Sequence, residues 1–270
     1  MITLTLKAPP PVPLEAEAIS PDVTAALAPD AIGALPVNLG KRQQRLDQWF
    51  SVEGEGGEEI EIRGDARKVK WIGRAMTRGR ITVSGHAGMH LGAYMTGGAI
   101  DVSGDAGDWL GAEMSGGLIR IRGSAGGQVG AAYRGSLSGM TGGMIVIDGG
   151  AGLEVGMRMR RGLIAVGGRV KDFAGLQMKG GTIVVGGAEL RSGAWMKRGT
   201  IVSLTPIPLL PTFAPGSRDT PTFLRVYAKR LARLGFTLPF DERDGCYQRY
   251  LGDASVPGKG EIFVWQPRGS

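Results

Sequence analysis

The sequence predicts an all-β protein, a right-handed single-stranded parallel β-helix of about seven glycine-rich coils. The first observation is a repeat, because isoleucines begin segments of 21, 19, 19, 26, 19, 19 and 18 residues, at Ile60, Ile81, Ile100, Ile119, Ile145, Ile164, Ile183 and Ile201. The second is composition, because 47 of 270 residues are glycine, more than twice the usual share of about 7%. Ile, Val and Leu interleave with these glycines, which indicates ordered turns.

Each repeat opens with a short strand of alternating character, as in IDVSGDAGDWLGAEMSGGL from Ile100 to Leu118. Its aliphatic pairs are predicted to stack inside the coil, and the residues between them are mostly polar and are predicted to face outwards. The inward pairs are Ile81/Val83, Ile100/Val102, Ile119/Ile121, Ile145/Ile147, Ile164/Val166 and Ile183/Val185.

Glycine and methionine also recur in register. Glycine occupies two corner positions per coil, where positive φ and coils about 4.8 Å apart leave little room for a Cβ atom: Gly64, Gly85, Gly104, Gly123, Gly149, Gly168 and Gly187, and Gly73, Gly92, Gly111, Gly130, Gly156, Gly175 and Gly193. The methionines are interpreted as an internal ladder rather than as soft-metal ligands: Met76, Met95, Met114, Met140, Met159, Met178 and Met196.

Three segments follow from the extent of the repeat. Residues 1–59 form an N-terminal cap with a helix from about Pro21, residues 60–204 form the β-helix with one insertion between Ala131 and Met140, and residues 205–270 form a C-terminal capping and docking extension. A helix is expected from Thr222 to Leu234, with Pro221 before it and Gly235 after it. Its apolar side chains are expected to dock, and its basic ones to stay outside: Phe223, Val226, Tyr227, Leu231 and Leu234, against Arg225, Lys229, Arg230 and Arg233.

Motifs for catalysis or metal binding are missing from the sequence. A single cysteine, Cys246, excludes an intrachain disulfide and a cysteine-ligated zinc or iron–sulfur site. The two histidines, His86 and His90, have no H-E-x-x-H context, and no G-x-S-x-G elbow or phosphate-binding loop occurs. The sequence predicts no catalytic residue, no metal ligand and no cofactor held firmly by this chain.

The formal charge of +7 and the isoelectric point near 9.7 favour acidic partners. Stacking aligns the turns that follow the methionines, and cations occupy this turn in the first coil and in the last three: Arg78, then Arg160, Arg161, Lys179, Lys197 and Arg198. Coils two to four carry Thr96, Ser115 and Thr141 there, so the strip lies at the C-terminal end. An anionic ligand, an acidic subunit and a solvated face are all open for this strip. Nucleic acid is disfavoured, because no aromatic residues interleave with the strip for base stacking.

The sequence shows no signal for export or for membrane insertion. The N-terminus, MITLTLKAPPPVP, has no basic region leading into an apolar one, and no apolar run approaches the roughly 20 residues that a bilayer needs. With one cysteine, a reducing cytoplasmic setting without membrane contact is expected.

The glycine-rich coil resembles the β-helix of the C subunit of formylmethanofuran dehydrogenase, which the C-terminal domain of the glutamate synthase large subunit shares. The flanks LPVNLGKRQQRLDQWFSVEG and YLGDASVPGKGEIFVW also resemble this C subunit. The resemblance implies a non-catalytic scaffold subunit packed against catalytic subunits. Two settings are implied: a tungsten or molybdenum dehydrogenase of methanogens, and a formyltransferase/hydrolase complex of methylotrophic bacteria.

The bacterial setting is favoured by the Ala, Arg and Gly richness. It implies amidohydrolase-like and formyltransferase partners, in tetrahydromethanopterin-linked one-carbon oxidation to formate, with a methanofuran-like carrier. If that carrier has a polyglutamate tail, the strip is a candidate contact for it. A glutamate synthase-like structural domain stays an alternative, as does a β-helical enzyme acting on polysaccharides with paired acids in the third coil, Asp101, Asp105, Asp108 and Glu113.

Overall fold

The computed structural model describes residues 1–241 and 243–268, which are mostly β structure, as predicted. The strands of this part of the chain are β1 (Ile2–Leu6), β2 (Leu14–Glu15), β3 (Pro36–Leu39), β4 (Arg42–Arg45), β5 (Phe50–Gly54), β6 (Glu59–Arg63), β7 (Val69–Lys70), β8 (Arg80–Ser84), β9 (Ala99–Val102), β10 (Leu118–Ile121), β11 (Met144–Ile147), β12 (Leu163–Val170), β13 (Lys179–Ala188), β14 (Arg198–Ser203), β15 (Ala214–Asp219), β16 (Gly245–Gly252) and β17 (Gly260–Pro267). The helices are α1 (Pro21–Thr24), α2 (Pro29–Gly33) and α3 (Leu224–Ala232), with a 3-10 turn at Leu46–Gln48.

The repeat builds the middle of a 13-stranded sheet in which β6, β8, β9, β10, β11, β12, β13 and β14 lie side by side in parallel. The predicted isoleucine ladder is observed, since Ile60 pairs with Ile81, Ile81 with Ile100, and so on to Ile201. A second, sparser ladder of single bridges joins Ala66, Ala87, Ala106 and Ala125. Repeats about 19 residues apart are therefore stacked one coil on the next.

The ladder is longer than the repeat. β1 pairs in parallel with β6 and places Ile2 beside Ile60, while β17 pairs in parallel with β14 and places Ile262 beside Ile201. Both added isoleucines are fully buried. The flanking segments thus contribute one more parallel strand at each end of the stack.

Beyond these added strands the pairing reverses. β5 lies antiparallel to β1 at one end, and β16 and β15 lie antiparallel beyond β17 at the other. A separate four-stranded sheet in the order β4-β3-β2-β7 also covers the N-terminal end. The strand edges of the stack are therefore covered, which limits edge-to-edge association.

At the two ends of the stack, the carboxylates of Asp22 and Asp253 accept hydrogen bonds from backbone N–H groups of the turns that have no neighbouring coil to bond to. In successive coils the residue after each methionine donates its N–H to the methionine carbonyl of the coil before, as Thr96 does to Met76. Thr77 has no such coil before it, and its N–H donates instead to the Asp22 carboxylate at 2.8 Å. At the other end, the N–H of Trp195 donates to Oδ2 of the buried Asp253 at 2.8 Å.

The outward face of the sheet changes character along the stack, and here the expected polar face is wrong for the last coils. Val146, Ala165, Val184 and Val202 point outwards and are fully buried in a second apolar core. The C-terminal extension covers them with α3 and with Tyr247, Phe263 and Trp265. This cover removes apolar surface from water that a bare coil would expose.

The helix of that extension is shorter than predicted. α3 runs from Leu224 to Ala232, because Pro221 and Thr222 belong to a turn that ends with the Leu224 N–H bonded to the Pro221 carbonyl. Its buried side chains are Leu224, Ala228 and Leu231, at the i, i+4, i+7 spacing of one helix face. Val226 is 67% exposed, so the expected docking role is wrong for this residue. The partly exposed Phe223 ring does dock, since it packs edge-on against Phe263 at a centroid distance of 6.0 Å.

The methionines of the predicted ladder are all fully buried, which confirms their core position. The predicted positive φ is found at every glycine of the second corner set, but within the first set only at Gly64 and Gly85. At Gly104, of the first set, the reason for glycine is space, because a Cβ atom would lie 2.7 Å from the carbonyl oxygen of Gly85 in the previous coil. No helix of the described residues is long and apolar enough to cross a bilayer.

Candidate functional site

Large side chains leave the coils at positions where the backbone is left-handed. One such series, the first αL ladder, comprises Trp71, His90, Trp109, Gln128, Glu154, Phe173 and Arg191, and a second αL ladder comprises Ala75, Tyr94, Glu113, Arg158, Gln177 and Trp195. The conformation costs an ordinary L-residue about 1–2 kcal/mol. Hydrogen bonds between coils hold it, as the His90 N–H donates to the Asp108 carbonyl of the next coil.

In the first coils Trp71, His90, Tyr94 and Trp109 of these ladders form an aromatic cluster with Tyr133. The Trp71 and His90 rings stack with centroids 4.1 Å apart, and Tyr133 stacks on Trp109 at 4.7 Å. The Tyr133 hydroxyl lies 2.8 Å from Nδ1 of His90. Burial lowers the pKa of His90 to about 4 and raises the pKa of Tyr133, so both rings are neutral at pH 7.

Tyr133 belongs to the insertion between Ala131 and Met140, which is tied down along its length. The Tyr133 N–H donates to Oε1 of Glu113 at 2.8 Å. Further on, Arg158 donates to the Ser136 carbonyl at 2.6 Å and Lys179 to the Leu137 carbonyl at 2.8 Å. The Leu137 side chain nevertheless stays 77% exposed.

The predicted cationic strip lies on the surface beside this insertion. Arg160, Arg161, Lys197 and Arg198 are exposed and Lys179 is half-buried. Lys179 and Arg198 are paired in register on β13 and β14. Within residues 1–241 and 243–268 none of the five forms an ion pair with a carboxylate, whereas Arg78, in the first coil, lies 3.4 Å from Glu58.

A groove of about 340 Å³ runs between the second αL ladder and the strip in the last three coils. Its lining comprises Arg158, Gln177 and Trp195 of the second αL ladder, Lys179 and Lys197 of the strip, and Leu137 and Val256. The repeat pattern predicted the two lysines but not Leu137 or Trp195. The break in the 19-residue period was the available signal for Leu137, whereas Trp195 lies in an ordinary repeat and carried none.

The histidines serve different local contacts. His86 accepts a hydrogen bond from the Asp105 N–H at 2.9 Å, while His90 belongs to the aromatic cluster. No group of three or more His, Cys, Asp or Glu side chains in the part of the chain that the structure describes is arranged to hold a metal ion.

The acids of the third coil each have a partner. Asp101 pairs with Arg80, Asp105 accepts from the Ser124 N–H and Asp108 from the Gly127 N–H. Glu113 holds the insertion through Tyr133. Through these contacts the four carboxylates brace neighbouring coils.

Comparison with known proteins identifies the family to which the chain belongs. The family described as the GXGXG motif matches residues 66–205, just over half of the chain. The C subunit of the molybdenum-containing formylmethanofuran dehydrogenase 1 of Methanosarcina barkeri is 45% identical over 83 residues, which are 29% of this chain and 28% of that protein. The C subunit of the tungsten-containing formylmethanofuran dehydrogenase 2 of Methanothermobacter marburgensis is 40% identical over 97 residues, 34% of this chain and 36% of that protein.

The aligned part therefore spans about a third of the curated relatives it matches. A solved structure extends the likeness over the whole length. A chain in the crystal structure of the formyltransferase/hydrolase complex (FhcABCD) from Methylorubrum extorquens in complex with methylofuran shares 34% identity and a TM-score of 0.88, covering 97% of this chain and 98% of its own. The chain therefore belongs to the GXGXG motif family and, within it, to the C-subunit group of formylmethanofuran dehydrogenase-like complexes.

Proposed function

We propose that this chain is the non-catalytic structural subunit of a formyltransferase/hydrolase complex in tetrahydromethanopterin-linked one-carbon oxidation to formate. The observation that carries the proposal is the end-to-end match to a chain of the FhcABCD complex, at 34% identity. The partners would be amidohydrolase-like and formyltransferase subunits in the cytoplasm, and the complex would hold a methanofuran-like carrier. A scaffold role agrees with the acids and histidines of the second and third coils, which are engaged in bracing the stack.

The shape that suits a scaffold is a rigid rod. We propose a right-handed β-helix of seven coils over residues 60–204, capped by residues 1–59 and 205–270, because crossovers between parallel strands of one sheet are almost always right-handed. Interlocked coils present fixed surface positions along the rod, so partners bound to different coils would keep a constant distance.

A tungsten- or molybdenum-containing formylmethanofuran dehydrogenase is the second candidate setting, favoured by the matches to the C subunits of such enzymes. A glutamate synthase-like structural domain is less supported, since the match to the Methylorubrum extorquens chain extends beyond the coils into both flanks.

For the cationic strip we propose a contact with an anionic group, either an acidic subunit or the anionic tail of the carrier. The absence of carboxylate partners among the described residues supports this, since stacked like charges repel unless something compensates them. Replacing Arg160, Arg161, Lys179, Lys197 and Arg198 by Gln should weaken carrier retention or complex assembly. Unchanged retention together with unchanged assembly would contradict the proposal.

Native mass spectrometry of the tagged protein purified from its own host tests the function. Recovery with an amidohydrolase-like chain and a formyltransferase chain is expected. Additional iron–sulfur and metal–pterin chains would identify the dehydrogenase setting instead. A stable monomer that recovers no partner would contradict both settings.

A further inference from the structure

We propose that the groove between Leu137 and Trp195 is a docking site for an acidic segment of a partner subunit, with an apolar side chain of that segment seated between these two residues. The inference rests on the proposed function, in that it needs a complex to exist. It goes further by choosing an acidic protein segment over a carrier tail for this surface.

The insertion provides the first argument. Leu137 is the most exposed of the large hydrophobic side chains in the described part of the chain, at 77%. Its loop is not loose, because Arg158 and Lys179 hold the carbonyls of Ser136 and Leu137 and Tyr133 is packed in the aromatic cluster. A fixed loop that presents a leucine to water is expected where a protein partner covers it.

Trp195 provides the second argument. Its side chain is 51% exposed, while its backbone is fixed at φ 56° with the N–H held by Asp253. Tryptophan is among the residues most enriched at the energetic centres of protein interfaces, because a large rigid ring buries much area at little entropic cost. Leu137 and Trp195 line the same groove, so a partner segment lying in it would cover apolar surface of both.

Charge selects the chemistry of the partner. Arg158, Lys179 and Lys197 line the groove, Arg160, Arg161 and Arg198 lie on the neighbouring strip positions, and no acidic residue is among its described lining. Acidic side chains on the partner would complement these cations and fix its orientation. A tail composed of carboxylates alone would satisfy the lysines but leave Leu137 and Trp195 in water, which favours a protein segment with an apolar anchor.

Carbodiimide cross-linking of the intact complex tests the occupant directly. This zero-length reagent activates a carboxyl group, which then forms an amide with a lysine amine in direct contact. A cross-link at Lys179 or Lys197 therefore identifies a carboxylate that touches that lysine. Mass spectrometry should find a Lys179 or Lys197 peptide joined to an Asp- or Glu-containing peptide of a partner chain. A mass increase matching the carrier, or unmodified lysines, would overturn the proposal.

Variants test the proposed apolar contact of the partner with Leu137 and Trp195. Leu137→Ala and Trp195→Ala should each weaken partner retention at least about tenfold on dilution, measured by native mass spectrometry. Leu190→Ala is the matched control, because Leu190 is also exposed, at 52%, and does not line the groove. Lys197→Glu should weaken retention further at low salt than at high salt, whereas Lys229→Glu on α3 should not.

The outcomes separate the inference from the proposed function. If the unmodified protein recovers no partner, the proposed function fails. If it recovers the partners and both groove variants retain them as well as the Leu190 control does, only the docking site is wrong. Thermal unfolding of each variant, expected to be unchanged for these exposed positions, excludes misfolding as the cause of a loss.

Discussion

Asp253 is the residue whose replacement most directly tests how the stack ends. This residue is 2% exposed, and its carboxylate accepts hydrogen bonds from the Trp195 N–H at 2.8 Å and from the Ser255 N–H and hydroxyl at 2.9 and 2.8 Å. It replaces the carbonyl that a further coil would offer to Trp195. Removing it should therefore leave two backbone donors without an acceptor.

The magnitude follows from those donors. A buried donor without a partner costs about 1–3 kcal/mol, so Asp253→Ala, which leaves two of them, should lower the free energy of unfolding by about 2–6 kcal/mol. In Asp253→Asn one of the two oxygens becomes an amide donor. Either Trp195 or Ser255 then loses its acceptor, and about half of that cost is expected.

Hydrogen exchange at the Trp195 amide is the sharpest assay, combined with thermal unfolding. A loss of about 1–3 kcal/mol at this donor corresponds to exchange about 5- to 150-fold faster. The melting temperature should fall by about 2–4 °C per kcal/mol. Asp30→Asn, an exposed carboxylate, is the control and should change stability by less than about 0.5 kcal/mol. An unchanged Trp195 amide in Asp253→Ala would refute the capping role.

Three further predictions test other parts of the stack. Partial burial, the largest single effect, raises the pKa of Asp22, but hydrogen bonds from Thr77 and Ser20 and the charge of Arg78 together lower it below its usual value. This carboxylate therefore stabilises the fold above its unfolded pKa of about 3.9 and loses that effect as pH falls through its lower folded pKa. In urea unfolding, the difference in stability between wild type and Asp22→Asn should close below about pH 4, and a constant difference would contradict this. Gly116→Ala should lower the free energy of unfolding by about 3 kcal/mol or more in thermal unfolding, because its Cβ atom would lie 2.0 Å from a carbonyl oxygen of the previous coil. Gly135→Ala is the control and should lower it by only about 1 kcal/mol, because Gly135 has φ +87° but open space around it. Equal losses for the two variants would count against close stacking of the coils. Tyr133→Ala should speed tryptic cleavage after Arg134 by about threefold to tenfold, because a stacked aromatic pair contributes about 0.5–1.5 kcal/mol to holding the insertion in place. An unchanged cleavage rate would show that the aromatic cluster does not hold the insertion.

The middle of the stack was predictable because it repeats. Each isoleucine meets an isoleucine of the next coil, so period and register can be read from one sequence. Ile2 and Ile262 could not be found this way, because they lie outside the repeat and pair with Ile60 and Ile201 at long sequence separation. Only the folded chain shows that both flanks extend the same ladder.

The buried outer face of the last coils does have a signal in the sequence. Thr82 and Asp101 occupy the outward position in early coils, whereas Val146, Val184 and Val202 occupy it later. A switch from polar to apolar at one repeat position indicates that something covers those coils. The C-terminal extension is that cover, and its docking helix packs where the outward residues turn apolar.

The candidate site was predicted for its charges and missed for its apolar residues, and the reason is conformational. A repeat position that is left-handed in every coil should select glycine or asparagine, yet Trp109, Phe173 and Trp195 occupy such positions. Hydrogen bonds to the neighbouring coils offset the local cost, so these positions accept large side chains and point them away from the core.

The two ends of the stack differ in what covers these outward-pointing side chains. In the first coils Tyr133 of the same chain packs on the Trp71 and Trp109 rings. In the last coils the insertion instead adds Leu137 to the surface beside Trp195, and nothing among the described residues covers the pair. The same backbone geometry therefore produces a closed aromatic cluster at one end and an open groove at the other, and the open end is where a partner has apolar surface to bury.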